Sequence, residues 1–354
     1  MNLPVDRWLA DLRLSSSPER SAGSRVILAV SGGADSVALA SGWHEIHAGS
    51  AQQWIIATFD HGFRPESAND AQFVADLARK QNVPFFLGRP TEPINAKSEH
   101  SLESAARKAR YHFLAQLAIE QKAATVLTAH TADDQMETIL FRLVRGTGLA
   151  GLAGIPRRRS LVPGVELFRP LLTHRRASVE GYLAEIGQAF VDDSSNRDLR
   201  FVRNRIRHLL LPLIRDEIHP GVDQALLRLA EVARTEWQTT TQKLAEWCQH
   251  VVTESGADYC IVDAGKFNEL DPRAAGRVMR ELVTRMGGPL QQVGWKSIHH
   301  AMQVAKPGGP PRVQWPGGVS FERCGAGDMR ISRAFHTPPS GQVASSSAGS
   351  VSRE

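Results

Sequence analysis

The hydrophobic positions of this chain change period several times, and the changes mark its elements. Val26 to Val30, Trp54 to Phe59, Val83 to Leu87 and Thr125 to Ala129 are apolar or β-branched runs of strand length, the pattern of strands buried on both faces. Pro84 gives the third of them an edge position or a late start. Between these runs the period lengthens to that of a helix. Ala34 to Ala40, Ala68 to Gln81 with Phe73, Val74, Leu77 and Ala78 on one face, and about Ser101 to Gln121 all read this way. Strand and helix in alternation predict an α/β fold with a doubly wound, mainly parallel sheet. The expected domain spans 25–215, after an N-terminal extension over 1–24 that carries one short helix, about Val5 to Leu14.

Beyond Leu209 the pattern changes. Pro212 and Pro220 punctuate the chain, Val222 to Val252 reads as one or two helices, and Pro272 to Met286 and Trp295 to Val304 as further ones. Tyr259 to Val262, Val313 to Trp315, Val319 to Phe321 and Met329 to Ile331 are short strand candidates. A smaller, mainly helical domain over 216–335 is expected, followed by a Ser-, Gly- and Ala-rich tail, 336–354, predicted to be disordered.

Composition narrows the class. At 354 residues about two domains have enough chain for a core each. The cysteines are Cys248, Cys260 and Cys324, none in a CxxC pair, which excludes a disulfide framework or a cysteine-ligated zinc knuckle. No long apolar run occurs, and Asp6, Arg7, Asp11 and Arg13 interrupt the N-terminus, so a cytoplasmic protein without membrane spans is expected. The net charge of +5 permits a polyanionic partner. Arginines crowd the stretch after residue 156: Arg157, Arg158, Arg159, Arg169, Arg175, Arg176, Arg197, Arg200, Arg203, Arg205 and Arg207 face few acids. That excess suits a nucleic-acid footprint, or a solvated charged surface.

Chemistry collects at the predicted strand ends, where open α/β sheets bind ligands. After the first strand, Ser31-Gly32-Gly33 forms a turn into a helix whose free amides attract an anion, with Asp35 and Ser36 beside it. A carboxylate there is tolerable mainly with a cation such as Mg2+ between it and a phosphate. The second strand ends in Asp60-His61-Gly62-Phe63-Arg64. Glu103, Arg107 and Arg110 share one face of the long helix, as an ion pair or as ligand contacts. The fourth strand runs into His130, Asp133, Asp134 and Glu137; the histidine suits a phosphate and the acids a metal or an amine. Arg145-Gly-Thr-Gly148 with Gly151 and Gly154 reads as a flexible turn.

Taken in order, Ser31-Gly-Gly-Ala-Asp-Ser36, Asp60-His-Gly-Phe-Arg64, Glu103-x-x-Ala-Arg107-x-x-Arg110-Tyr111, His130-x-x-Asp133-Asp134-x-x-Glu137-Thr138, Arg145-Gly-x-Gly148, Asp193-x-Ser195-Asn196 and Arg203-Asn204-x-Ile206-Arg207 resemble the tRNA(Ile)-lysidine synthetase family of N-type ATP pyrophosphatases, the PP-loop group. The resemblance implies a ligase that adenylates the carbonyl oxygen on carbon 2 of the wobble cytidine of tRNA(Ile) with a CAU anticodon, releasing pyrophosphate. Free L-lysine then displaces AMP to give lysidine. It implies ATP and Mg2+ as cofactors, and a homodimer is compatible with it. Ser31, Gly32, Gly33, Asp35, Ser36 and His130 would bind ATP, with Asp35 on the metal and Asp35, His130 and Asp134 at the chemistry. Glu103, Arg107, Arg110, Asp133 and Glu137 would contact lysine, cytidine or ATP, and Arg145, Arg200, Arg203, Arg205 and Arg207 the tRNA. Thr131 stands where many relatives have a second histidine, and little chain remains for the further C-terminal domain of longer relatives. The rival within the group is a tRNA thiolase, expected to show a CxxC pair or a cysteine near the nucleotide. A small-molecule amide-forming ligase and an RNA-binding protein that holds ATP only as a ligand are the others.

Overall fold

Alternation within the first strand sets the layers of the sheet. In β1 (Arg25–Ala29), Val26 and Leu28 enter the core on one face and Ile27 the core on the other, as the two-residue period of a strand requires. Both faces are apolar, so both need a helical cover. The computed structural model describes residues 25–50, 52–63, 67–90, 99–192, 198–288, 295–325 and 327–333, without the side chains of 99–101 and 103. The expected helix from Val5 to Leu14 and the expected disordered tail lie outside these residues.

The chain continues through α1 (Ala34–His47), β2 (Trp54–Phe59), α2 (Ser67–Lys80), β3 (Phe85–Gly88), α3 (Glu99–Glu120), β4 (Ala123–Thr128) and α4 (Ala132–Val144). A single helical turn, α5 (Leu149–Leu152), then leads to β5 (Arg158–Val162), β6 (Val165–Phe168) and α6 (Arg176–Glu185). The sheet order is β3-β2-β1-β4-β6-β5. All neighbours are parallel except the terminal pair β5 and β6, and β3 takes the edge, as Pro84 suggests. Helices α1, α2 and α6 cover one face through Val37, Leu39, Val74, Leu77, Val179 and Tyr182. On the other face α3 packs Leu114, Leu117 and Ala118 against Ile27, Ile55 and Val126.

The hairpin of β5 and β6 lies where the sequence shows mainly a run of arginines. Its first strand still alternates, with Arg158 and Ser160 exposed and Arg159 and Leu161 half-buried, so its arginines belong to an edge strand. Winding reverses at β1, since β2 and β3 lie to one side and β4 to the other. The carboxyl ends of β1 and β4 therefore flank the switch point where such sheets bind ligands.

The helical stretch over 202–218, α7, alternates α-turns (Val202–Arg205, Leu211–Leu213) with π-turns (Ile206–Leu210, Ile214–Ile218). Ile206 and Leu211 pack with Met136, Ile139 and Leu140 of α4 and with Val222, Leu226 and Ala230 of α8 (Val222–Val251). That shared core explains a difference from the expected boundary near residue 215. The compact units divide between Trp237 and Gln238, inside α8, because its first turns are needed to cover α4.

The second unit has its own core. Strands β7 (Val252–Ser255), β8 (Tyr259–Val262), β9 (Arg312–Trp315), β10 (Val319–Cys324) and β11 (Asp328–Arg333) form an antiparallel sheet in the order β7-β8-β11-β10-β9. Helices α9 (Ala264–Glu269), α10 (Pro272–Arg285) and α11 (Trp295–Met302) pack Phe267, Val278, Met279, Leu282 and Ile298 with Phe321, Met329 and Ile331 of that sheet. Helices account for more of this unit than strands do.

Candidate active site

The glycine loop keeps its shape through its own hydroxyls. Ser36 donates to the Gly33 carbonyl at 2.9 Å, accepts from the Ser31 amide at 3.1 Å and meets the Ser31 hydroxyl at 3.2 Å. Gly32 sits at φ +91°, a left-handed backbone that only glycine adopts without strain. Its carbonyl accepts from Val191, and Gly33 takes the N-cap position of α1. A helix begun this way leaves its first amides without intrahelical acceptors, ready for an anion. Ser36 is 6% exposed, so its hydroxyl braces the loop from inside.

Asp35, in the first turn of α1, faces a ladder of alternating charge. Its Oδ2 accepts from Arg176 Nε at 3.0 Å and lies 3.0 Å from Arg176 Nη2 in an ion pair. Arg176 also donates to Asp134 Oδ1 at 3.4 Å. Asp134 faces Arg207 at 3.7 Å, and Arg207 Nε donates to Glu137 Oε1 at 2.6 Å. Burial, reinforced by Asp134 and only partly offset by Arg176, pushes Asp35 up to about 6. Burial likewise raises Glu137 against the pull of Arg207. Arg176 is raised, because Asp35, Asp134 and Glu137 outweigh the burial of its guanidinium.

Asp35 Oδ1 is buried with no hydrogen-bond partner. An unsatisfied carboxylate oxygen beside a phosphate-binding loop fits a hard divalent cation, with phosphate and water supplying its other ligands. No group of three or more His, Cys, Asp or Glu placed for a metal occurs among the described residues, so Asp35 would hold such a cation with phosphate and water as further ligands.

A second cluster gathers around Tyr111 on α3. Arg107 Nη2 and Arg169 Nη2 each donate to its hydroxyl at 3.4 Å. The guanidiniums of Arg107, Arg110 and Arg159 lie 5.1, 5.5 and 4.8 Å from its ring centroid, within cation–π range. Burial opposes ionisation of the phenol, but Arg107, Arg110 and Arg169 bring it down to about 8. Arg169 is 1% exposed and donates to the Pro156 carbonyl at 2.6 Å. His130 borders this cluster. Burial, aided by Arg169, Arg110 and Arg107 and opposed by Asp134, holds its imidazole well below the usual range, so the ring is neutral at physiological pH. Its Nδ1 lies 3.1 Å from Thr128 Oγ1.

Several expectations change. Asp133 has both oxygens engaged, accepting from Arg175 at 3.0–3.3 Å and from the Arg176 amide at 2.7 Å. Burial would raise it, yet these bonds hold it low, and through them it anchors the start of α6. Asp134 Oδ2 accepts from the Thr131 amide and hydroxyl at 2.8 and 3.1 Å, which leaves Oδ1 for the site. Thr131, fully buried, thus belongs to the start of α4. Arg207, expected on tRNA, points inward to Glu137 and Asp134. Arg169, Arg175 and Arg176 are also engaged internally, so the arginine excess is not one nucleic-acid face. Arg145 and Arg205 are exposed, as is Arg200, which pairs with Asp198 at 2.7 Å, and Arg203 is half-buried.

The turn expected to be flexible after Gly148 is clamped. Gln135 accepts from the Ile155 amide at 2.6 Å, and Arg142 donates to the carbonyls of Gly151 and Gly154 at 3.0 and 2.9 Å. Asp60 accepts from Gly62 at 2.9 Å and pairs with Arg89 at 3.3 Å, while His61 stacks on Phe63. The Glu103 side chain, Arg64, Asp193, Ser195, Asn196 and Arg197 lie outside the described residues. The sequence shows Arg176 only as one of a run of arginines; its partner Asp35 is 141 positions away, and no local pattern joins them.

Residues 9–214 match the PP-loop domain family. A tRNA(Ile)-lysidine synthase of Thermus thermophilus is 41% identical over 222 residues, 62% of this chain. The chain spans 41% of that relative's length. A tRNA(Ile)-lysidine synthase of Methylobacterium nodulans is 38% identical over 288 residues, covering 80% of this chain and 79% of the relative. Among solved structures, the U34-tRNA thiolase NcsA of Methanococcus maripaludis superposes with a TM-score of 0.54 at 14% identity, over 66% of this chain and 80% of that one. At that identity the likeness concerns the fold.

Proposed function

The chain belongs to the PP-loop family and, within it, to the tRNA(Ile)-lysidine synthases, and we propose from this premise that it ligates free lysine to carbon 2 of the wobble cytidine of tRNA(Ile) with a CAU anticodon. The observation that carries the reading is the meeting, at the carboxyl ends of β1 and β4, of the loop carboxylate Asp35 with Asp134 and Glu137 through Arg176 and Arg207. A loop that holds a polyphosphate thereby adjoins acids able to receive an amine.

The amides at the start of α1 and the Ser31-Gly32-Gly33 turn take the pyrophosphate portion of ATP. Asp35 would hold Mg2+ there, which would supply charge to offset that on the leaving pyrophosphate. Neutral His130 contacts the α-phosphate by hydrogen bonding, and the positive charge near it comes from Arg107, Arg110 and Arg169. Attack of the cytidine carbonyl oxygen on that phosphorus gives adenylated cytidine. Free lysine then brings a cationic group suited to Asp134 and Glu137 and a carboxylate suited to the arginine cluster. Holding its unprotonated ε-amine beside the activated carbon is the work of position. Arg145, Arg200, Arg203 and Arg205 contact tRNA phosphates, and a cytoplasmic place of action follows from that substrate.

The thiolase alternative draws no support from the cysteines, since Cys248, Cys260 and Cys324 all belong to the second unit. The test is transfer of radiolabelled lysine to tRNA(Ile) bearing CAU in the presence of ATP and Mg2+. Folded protein and intact tRNA that give no labelled product overturn the proposal.

A further inference from the structure

We propose that Arg176 is a built-in counter-cation that holds Asp35 before nucleotide arrives, then yields it to Mg2+ and turns its guanidinium to the pyrophosphate. This rests on the reading of Asp35 and the glycine loop as the Mg2+–ATP site.

The geometry of the pair is lopsided. Two nitrogens of Arg176 converge on Oδ2 of Asp35, while Oδ1 is buried without a hydrogen-bond partner. A permanent structural ion pair tends toward a fork in which each oxygen takes a nitrogen; here half of the carboxylate is held back. Charge is likewise unfinished. Asp35, Asp134 and Glu137 face the two guanidiniums of Arg176 and Arg207, one negative charge in excess, and a divalent cation turns that into an excess positive charge suited to a polyphosphate.

The backbone of Arg176 stays anchored through this exchange. Its amide donates to Asp133, itself held by Arg175, which also bonds Asp223 at 2.6 Å. The head can therefore swing on a fixed stem between the first turn of α1 and the loop beside it. A second acceptor, Asp134 at 3.4 Å, keeps the guanidinium in the site when Asp35 releases it.

A permanent brace and an exchangeable cation differ in the sign of one measurement. Calorimetric titration of the full chain with Mg2+ alone, then with inorganic pyrophosphate in the presence of Mg2+, compares wild type with Arg176→Gln and Asp35→Asn. Arg176→Gln is expected to bind Mg2+ roughly threefold to tenfold more tightly, the scale of one partly buried ion pair, and pyrophosphate about tenfold more weakly. Asp35→Asn abolishes the Mg2+ signal. Mg2+ affinity in Arg176→Gln that is unchanged or weaker, or pyrophosphate affinity that does not fall, overturns the inference. Should Arg176→Gln fail to fold, Arg176→Lys, whose single ammonium cannot place two nitrogens against one oxygen and reach Asp134, carries the same opposite signs at smaller size; parallel losses overturn it again. Wild-type protein that binds neither Mg2+–ATP nor pyrophosphate refutes the nucleotide reading itself.

Discussion

Two charged clusters meet at the same end of the sheet, and they are built on opposite plans. Along Asp35, Arg176, Asp134, Arg207 and Glu137 each charge is answered by its neighbour. Around Tyr111 four arginines, Arg107, Arg110, Arg159 and Arg169, converge on one phenol beside a neutral imidazole. The alternating ladder is suited to cations that come and go, because each newcomer finds a carboxylate and displaces a like charge. The arginine cluster repels itself and is relieved by an anion. The contrast gives the site a polarity: among the described residues, carboxylates alternate with guanidiniums on one side, and guanidiniums gather without acids on the other.

The largest expected break in that contrast is Asp35→Ala, which should lower ATP-to-pyrophosphate turnover by at least about a hundredfold, as expected for loss of a metal-assisted leaving group; turnover within tenfold of wild type would remove Asp35 from the metal. Next is Arg207→Met. It leaves Glu137, 4% exposed, without its partner and should destabilise the first unit by about 2 kcal/mol in urea unfolding, whereas an exposed arginine that served only tRNA would leave the midpoint unmoved.

The ladder also leaves a mark on stability against pH. Folded Asp35 keeps its proton to about 6 and an unfolded aspartate releases it near 3.8, so the folded chain holds the extra proton between those values. Stability should fall as pH rises through that window, and Asp35→Asn should flatten the decline in urea midpoints taken across it. The smallest effect belongs to the arginine cluster. Of the three tyrosines, Tyr182 is raised by burial and by its bond to Glu45, and Tyr259 by its bond to Glu254. Only Tyr111 should ionise near pH 8. Its unfolded counterpart holds the proton to 10.0, so this group adds stability as pH rises between the two values. Tyr111→Phe should erase both that rise and the early tyrosinate absorbance, and weaken ATP by about threefold.

What the sequence discloses about this site depends on how far apart the partners lie. Ser31, Gly32, Gly33 and Asp35 form one local unit, and a strand, a turn and a helix start can be read from adjacent letters. The sheet follows from apolar runs of strand length. Arg207 illustrates the opposite case, since a count of positive charges carries no direction and an inward guanidinium counts like an outward one. The β5 strand was hidden for a related reason: Arg158 and Arg159 lie over the rings of Phe168 and Tyr111, so residues that advertise solvent also use their flat faces for packing. Asp133 reads as one of a local run of acids with Asp134 and Glu137, although its partners are more than 40 positions away.

The π-turns of α7 bear on how this site tolerates change in chain length. A π-turn carries an added residue relative to an α-turn, and the one over Ile206–Leu210 lies between Arg203, beside Arg107 and Arg142, and the packed Leu211. Side-chain replacement at exposed His208 leaves that winding intact. Loss of a single residue there would restore the tighter turn while the winding on either side keeps its orientation relative to Arg203, so this segment is expected to absorb a one-residue deletion that a regular α-turn would not.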